Sequence, residues 1–381
     1  MRDDAAREDT RRRLAKREKQ FGKKSSQQSD PTRDSPQTVA PPRHDDARAM
    51  SRSTDTLSVI QYNVLADALS GPDAGFTSMP PCDLAFGARR AKLLGKIIAE
   101  DADVVCLQEV DHYHDAFKPA MDAAGYDGIY REDEWSPCRK LSGGMLRDGV
   151  AIFYKREKLQ LCGMDLPGVP RRSKDGDGDK STFNIDAGKC IVARFRVLPP
   201  REVTHGPRWE EYQCSMREVV VATVHLDSKK DEEGAKKRRN QAFHMMKAVE
   251  KMTRNSPTKP VIVAGDFNYL LPVIVAGDFN AVPSEPAVDL VKNGIDGGLR
   301  SAYEYMNGTD PAFTTWKIRS GNYKKGEAKM CIDYIFVPRE CGILSVGALP
   351  DENDIGPKGL PCEKHPSDHL MLRADLKIRV Q

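Results

Sequence analysis

The chain has 381 residues, 30% of them charged, with a formal net charge of +3 and nine cysteines. No apolar run approaches the roughly 20 residues a membrane helix needs. The cysteines form no CxxC pair, which speaks against a zinc site or a disulfide framework and for reduced thiols in an intracellular, cytoplasmic protein.

Residues 1–55 are rich in Arg, Lys, Asp, Glu, Gln and Ser and carry almost no aromatic side chain. Such a composition cannot bury enough apolar surface to offset ordering entropy, so a disordered charged tail is expected there. The basic surplus lies in this tail, and the body is close to neutral. Any nucleic-acid contact in the body would therefore be local. Asp3, Asp4, Glu8 and Asp9 argue against a mitochondrial presequence. Residues 56–381 are read as one folded domain, expected as a monomer.

From Leu57 on, apolar runs alternate with helical patterns. LSVIQYNVL (57–65) alternates with period two and puts Asn63 on the face of Leu57 and Val59. Leu84, Ala88, Ala91, Leu94 and Ile98 recur at helical spacing. DVVCLQEV (103–110), GVAIFY (149–154), KCIVARFRV (189–197) and EVVVATVHL (218–226) read as strands. Residues 165–188 form a Gly/Asp/Lys-rich stretch expected to be a mobile loop. An amphipathic helix starts near Asp231 and carries Ala242, Met245, Val249 and Met252 on one face. CIDYIFV (331–337), GILSVGAL (342–349) and DHLMLRADLKI (368–378) complete the strands. Many strands are near-continuously apolar, hence covered on both faces. The expected architecture is α/β: two mixed β-sheets packed face to face, with helices on both outer faces.

One strand is written twice. PVIVAGDFN occurs at 260–268 and again at 272–280. A central strand has one slot. Were the first copy to fill it, the extra residues would bulge out directly after Asn268, at the polar tip. With the second copy in place, they extend the polar NSPTK loop at the other end, where insertion is cheap. The second copy is therefore expected to be the working one, with Asp278 and Asn280 in place of Asp266 and Asn268.

Buried strands repeatedly stop on polar groups: Asn63, Glu109, His225, Asp278 with Asn280, Asp333, and Asp368 with His369. Any one of these could be an ordinary cap or turn residue. Glu109, directly after VVCLQ, needs a cation or a donor if it is buried. Hard carboxylate oxygens without Cys ligands suit Mg²⁺. A His–Asp pair and amide donors complete what metal-assisted phosphate-ester hydrolysis requires.

QYNVLA, CLQEV, VHL, GDFNAVPSE, IDYIF and SDH together resemble the endonuclease/exonuclease/phosphatase superfamily. LQEVDHYHDAF, WSPC, FTTWKIR and IGPKGLP…HPSDHL are similar to motifs of its nocturnin and deadenylase branch. The resemblance implies a two-sheet sandwich with the site at the strand-end rim, and one or two Mg²⁺ ions (or Mn²⁺), with Glu109 as a ligand. It implies Asn63, Asp278, Asn280 and His369 around the scissile phosphate, Asp333 and His225 in support, and Asp368 orienting His369. Two substrates fit that branch: the 2′-phosphate of NADP(H), and the 3′ end of poly(A) RNA. For a phosphorylated dinucleotide, Arg319 and Lys229 are the expected phosphate ligands. Asp133 stands where that branch has Lys, and Arg131 or Lys140 could replace the lost charge. For RNA, Trp316 and Tyr113 are the candidate stacking platforms. A catalytically dead binding module is the third reading.

Overall fold

The computed structural model describes residues 56–71, 74–167, 189–199, 218–254, 272–293, 298–320 and 325–378. The N-terminal tail, the first repeat copy and nearly all of the loop expected at 165–188 lie outside the described residues. The strands in chain order are β1 (Thr56–Asn63), β2 (Val104–Gln108), β3 (Tyr126–Glu132), β4 (Gly149–Lys155) and β5 (Leu159–Asp165). There follow β6 (Cys190–Val197), β7 (Glu218–His225), β8 (Val273–Asp278), β9 (Leu299–Ser301) and β10 (Thr315–Arg319). Last come β11 (Gly326–Met330), β12 (Asp333–Pro338), β13 (Gly342–Val346) and β14 (Leu372–Lys377). The helices that matter for packing are α1 (Phe86–Ala99), α2 (Lys118–Ala123), α3 (Glu232–Arg254) and α4 (Pro286–Asn293).

Two six-stranded sheets result, in the orders β13-β14-β1-β2-β4-β3 and β5-β6-β7-β8-β12-β9, with β10-β11 as a separate hairpin. Both sheets are mixed: β1–β2 and β7–β8 are parallel, and the other pairs are antiparallel. Period-two alternation explains the layers. Leu57, Val59, Val104, Cys106 and Ile152 of the first sheet pack with Ile191, Phe195, Val221, Ile274 and Ile335 of the second. The opposite-facing residues of the first sheet, such as Ile60, Tyr62 and Val105, meet Leu93 and Ile97 of α1 and Met121 of α2. On the second sheet Val220, Ala222 and Val275 meet Ala242, Met245 and Val249 of α3 and Val288 of α4. The expected sandwich with helices on both outer faces is what the chain forms.

The second repeat copy supplies β8, between β7 and β12. Gly277 of its GDFN is required by close packing, because a Cβ there would lie 2.3 Å from the Val224 carbonyl oxygen of β7. β3, β5, β9 and the β10–β11 hairpin are additional to the strands expected. Most are short or half-exposed, so their apolar signal is broken by Asp, Lys, Arg and Glu. α1 forms where expected, but its buried face runs through Phe86, Arg89, Leu93, Leu94 and Ile97, while Ala88 and Ala91 are exposed. That face includes Arg89, a charged residue that is only 1% exposed.

Candidate active site

Strand register brings the polar ends to one rim. Asn63 ends β1 beside Gln108, the residue before Glu109. His225 ends β7 beside Asp278 at the end of β8, and Asp333 opens β12 opposite Asp278. The inward face of β1 runs Leu57, Val59, Gln61, Asn63, so the apolar core gives way to amides at the rim. Gln61 Nε2 donates to Gln108 Oε1 at 2.8 Å and, across the two sheets, to Asp333 Oδ1 at 2.9 Å. Gln108 Nε2 in turn donates to Thr223 Oγ1 of β7 at 3.0 Å. Asn63 Nδ2 donates to Glu109 Oε1 at 2.9 Å and to Asp278 Oδ2 at 3.1 Å. These amides tie the sheets together where the carboxylates stand.

Backbone strain is concentrated here. Glu109, Asn280 and Leu65 all have positive φ, at 57°, 50° and 58°. Non-glycine residues adopt such values at a cost, which surrounding bonds must offset. The main-chain N–H of Ala66 donates to Glu109 Oε2 at 3.2 Å, and that of Leu65 to Asn63 Oδ1 at 3.1 Å. The Asn280 N–H donates to Asp278 Oδ1 at 2.8 Å, and its side-chain Nδ2 donates to the Leu226 carbonyl at 3.1 Å.

His225 Nε2 lies 3.6 Å from Asp278 Oδ2 and 3.9 Å from Glu109 Oε1. His369 Nε2 lies 3.8 Å from the same Asp278 oxygen, and its Nδ1 is 2.9 Å from Asp333 Oδ2. Burial opposes charging of His369, but the Asp333 and Asp278 carboxylates outweigh it against the opposing charge of Lys317 and lift its pKa to about 9. Burial pushes Asp333 upward. Burial acts on Asp278 in the same sense, yet His369, His225 and Lys317 together hold it below the ordinary carboxylate value. At neutral pH Asp278 is thus a carboxylate beside a protonated imidazole.

The ligand atoms of Glu109, His225 and Asp278 lie within 4.8 Å of one another, as do those of Asp278, Asp333 and His369. No Lys or Arg among the described residues forms an ion pair with Glu109 or Asp278. Two buried carboxylates bonded directly only to imidazoles and amides leave room for a further positive charge. Their hard oxygens suit a divalent cation, and neither cluster contains Cys. The residues therefore fit a metal; the second cluster is the poorer host because Asp333 and His369 already occupy each other.

The sequence model of the Endonuclease/Exonuclease/phosphatase family matches residues 60–271 and 270–369. The chain belongs to that family. Members of the Endonuclease/Exonuclease/phosphatase family are divalent-metal-dependent hydrolases of phosphate esters, and this chain is one of them. It is 30% identical to mouse nocturnin over 334 residues, which is 86% of this chain and 67% of that protein. It is 29% identical to human nocturnin, over 84% of this chain and 65% of that protein. The alignments thus span about two thirds of those relatives. The solved human nocturnin catalytic domain has the same fold, with a TM-score of 0.61 at 24% identity over 85% of this chain and 94% of that one.

Within this family site, Asn63, Glu109, His225, Asp278, Asn280, Asp333 and His369 are brought together. Asp368 is adjacent but does not orient His369, as the sequence reading expected; Asp333 does. The Asp368 carboxylate instead lies 2.7 Å from Lys317 Nζ and 3.6 Å from Arg319 Nη2. Against burial, Lys317, His369 and Arg319 together hold its pKa well below the usual range. Arg319 stacks over Phe76, 4.3 Å from the ring centre, with its buried Nε lacking a hydrogen-bond partner among the described residues. Lys317 Nζ also sits 3.1 Å from His369 Nε2.

Trp316 is not at the rim. Alternation along β10 turns it away from Lys317 into a cluster with Phe313, Leu360 and Ile355, where it is 6% exposed. Tyr113 is buried and stacked on Tyr130. Asp133 is 2% exposed and accepts the Trp135 N–H, so it closes a turn. Lys229 and Lys230 are both exposed, and Lys230 Nζ lies 2.9 Å from the Asn280 carbonyl.

Sequence reasoning missed Gln61, Gln108, Lys317, Lys230 and Arg89. Arg89 donates from Nη1 to the carbonyls of Val64 and Pro366, at 3.0 and 3.1 Å, and from Nη2 to that of Leu65 at 2.8 Å. It thereby joins the loop after β1 to the loop that carries Asp368 and His369. The inward position of Gln61, two residues before Asn63, was a usable signal for that amide; a charged residue on a helix gave none for Arg89.

Proposed function

We propose that the protein is a Mg²⁺-dependent phosphatase that removes the 2′-phosphate of NADP(H) to give NAD(H). The observation that carries the reading is the meeting of Asn63, Glu109, Asp278 and His369, from distant parts of the chain, within hydrogen-bond or ion-pair reach of one another. The likeness to nocturnins supports the branch. Arg319 and Lys317 at the rim supply cationic recognition of an anionic ligand. Degradation of poly(A) would call for exposed stacking platforms, and the burial of Trp316 and Tyr113 removes the two that the sequence offered.

Glu109, with Asp278 and His225, would hold the metal, Mg²⁺ or Mn²⁺. Bound there, the ion would supply Lewis-acid polarisation of phosphate oxygens. Asp278, ionised at neutral pH, takes a proton from the attacking water as its oxygen bonds to phosphorus; the bond to the ribose 2′-oxygen breaks, and that oxygen leaves as the hydroxyl with a proton from the charged His369. His369, kept charged by Asp333, directs its Nε2–H at the phosphate oxygens. Asn63 and Asn280 place amide donors beside the same group. Lys229 is a second phosphate ligand only if the loop after β7 closes over the ligand.

The test offers purified protein NADPH and a 3′-polyadenylated RNA separately, with Mg²⁺ or with EDTA, alongside Glu109→Ala. Release of phosphate from NADPH with the RNA left intact is expected, abolished by EDTA and by the substitution. Shortened RNA with untouched NADPH would overturn the substrate in favour of a deadenylase. Turnover indifferent to Glu109→Ala would overturn the metal assignment.

A further inference from the structure

His365 closes a tight turn just before Asp368 and His369. Cys362 and His365 exchange main-chain hydrogen bonds, N–H to carbonyl in both directions, at 2.9 and 3.1 Å. Beyond the turn, the Pro366 carbonyl accepts from Arg89, and Ser367 Oγ donates to the Asn63 carbonyl at 2.6 Å. Two lysines of α1, four residues apart and so on one helix face, reach this turn. Lys92 Nζ donates to the Glu363 carbonyl at 3.2 Å, and Lys96 Nζ lies 3.2 Å from His365 Nδ1. A third lysine, the exposed Lys364, belongs to the turn itself.

An ammonium can only donate, so Nδ1 of His365 accepts from Lys96 and the ring is neutral, with its proton on Nε2. Burial, Lys96 and Lys364 lower the His365 pKa to about 4, against Asp354. Burial also lowers that of Lys96, against Glu100 and Cys362. The nearby acids are engaged elsewhere or open to solvent. Glu100 pairs with Arg373 at 3.2 Å, Asp354 accepts the Asp351 N–H at 3.3 Å, and Glu363 is exposed. Among the described residues no carboxylate forms an ion pair with Lys92, Lys96, Lys364 or His365. Three lysines and an imidazole that is kept from charging thus meet at one turn, and an anion seated between them relieves their repulsion. Several donors around one point suit a doubly charged tetrahedral oxyanion better than a carboxylate, which has two oxygens and a single charge.

We propose that Lys96 and His365, flanked by Lys92 and Lys364, bind a phosphate-type oxyanion at a site separate from the hydrolytic centre, and that His365 takes up a proton as the anion enters. The proton comes from solvent, or from the ligand when it arrives as dihydrogen phosphate. Lys96 then turns its donor from the ring to the anion, and the charged ring donates beside it. The bound anion ties α1 to the turn that leads into Asp368 and His369. Free phosphate and the terminal phosphate of a nucleotide share this chemistry. The inference is independent of the substrate assigned above.

The experiment follows the His365 ring by NMR in the full chain, its signal identified by its loss in His365→Gln. Inorganic phosphate, sulfate, adenosine 5′-monophosphate and, at matched ionic strength, chloride are added in turn. Without an added oxyanion the ring should stay neutral down to about pH 5. Saturating sulfate, whose own charge is constant over this range, should raise the His365 pKa by about two units. By linkage its affinity then rises about tenfold between about pH 7 and about pH 5. Lys96→Met should weaken sulfate and phosphate about tenfold or more, and Lys236→Met, an exposed helical cation elsewhere, should leave both unchanged. A response to phosphate but not to the nucleotide assigns the free ion, and a response to both assigns any terminal phosphate. An ordinary His365 pKa near 6.5 in the absence of anion overturns the inference. So does a chloride response equal to that of sulfate, which would be screening, or a ring indifferent to both phosphate and sulfate.

Discussion

Replacing Arg89 by Met tests whether the site is held by its scaffold as described. Met has a similar length and no charge, so the change removes the guanidinium without opening a large cavity. Arg89 bonds the carbonyls of Leu84, Val64, Leu65 and Pro366 and reaches Ser70 Oγ at 3.4 Å. Each buried carbonyl left without its donor costs about 1–3 kcal/mol. The sum is an upper bound, because removing the cation also recovers the several kcal/mol spent on burying it. Burial lowers the Arg89 pKa, which is a sign of that cost. A net loss of about 3–5 kcal/mol follows, the range measured when one side of a buried charged arrangement is removed. The assay is urea unfolding, read as the shift in midpoint at constant slope. Phosphate release is followed at a temperature where both proteins are folded. Activity falls there too, because the loop after Asn63 and the loop bearing Asp368 and His369 lose their common anchor. Arg89→Lys, a charge without the fork, falls between the two. A stability change under about 0.5 kcal/mol with full activity would refute the argument, since it would mean water or rearranged loops replace the guanidinium at no cost.

Asp333→Asn removes the partner that keeps His369 charged; its pKa, followed by NMR, falls from about 9 towards or below the ordinary 6.5, and activity drops at least about tenfold at pH 8. A His369 pKa that stays near 9 would show that Asp278 alone sets it. His112 concerns stability rather than catalysis. Asp67 raises its pKa to about 9 against burial, with help from Asp115, and its ring stacks on Phe86 at 4.1 Å. A raised folded-state value means the stabilisation is complete below the unfolded value near 6.5 and is lost as pH climbs to about 9. Allowing for solvent screening of this part-exposed group, about 1–2 kcal/mol is at stake. The stability gap between wild type and His112→Gln should therefore narrow between pH 6.5 and 9, and a constant gap would assign His112 to packing alone. Saturating Mg²⁺ at about 100 times its dissociation constant should stabilise wild type by about 2.7 kcal/mol and Glu109→Ala by much less. Equal stabilisation of both would place the ion elsewhere.

The strands and the acids of the site were readable because both follow period two. Leu57, Val59, Gln61 and Asn63 share a face, and that face is the interior of the sandwich. Once β1 is known to be a strand, its last inward residue must lie at the rim of the core. The same parity reads Asp278 from the apolar VIVAG before it, and an even repeat length keeps the same faces in either copy. What stayed hidden are cations, and for one physical reason. A Lys or Arg in a sequence reads as solvated because burying it is costly, so nothing local marks Arg89, Lys317 or Lys230. Their placement is stabilised by groups that the fold brings from far away: the Pro366 carbonyl for the buried Arg89, Asp368 for the half-buried Lys317, and the Asn280 carbonyl for Lys230.

The assignment of His369's partner turns on the same distinction. Asp368 adjoins it in sequence, and a reading by adjacency pairs them. At the bend before the strand, however, neighbouring side chains part to opposite sides. If His369 faces Asp278, Asp368 must face away from it, and it does, towards Lys317 and Arg319. The carboxylate able to reach the Nδ1 of His369 has to come from another strand on the same face, and Asp333, opposite Asp278 in register, is that residue. The two acids therefore do different work: Asp333 sets the charge and orientation of the imidazole, while Asp368 anchors the hairpin cations at the rim. Asp368→Asn should accordingly weaken substrate binding through Lys317 and Arg319, raising KM, and leave the His369 pKa nearer its wild-type value than Asp333→Asn does. The reverse ranking, read by NMR on the two variants, would restore adjacency as the better guide.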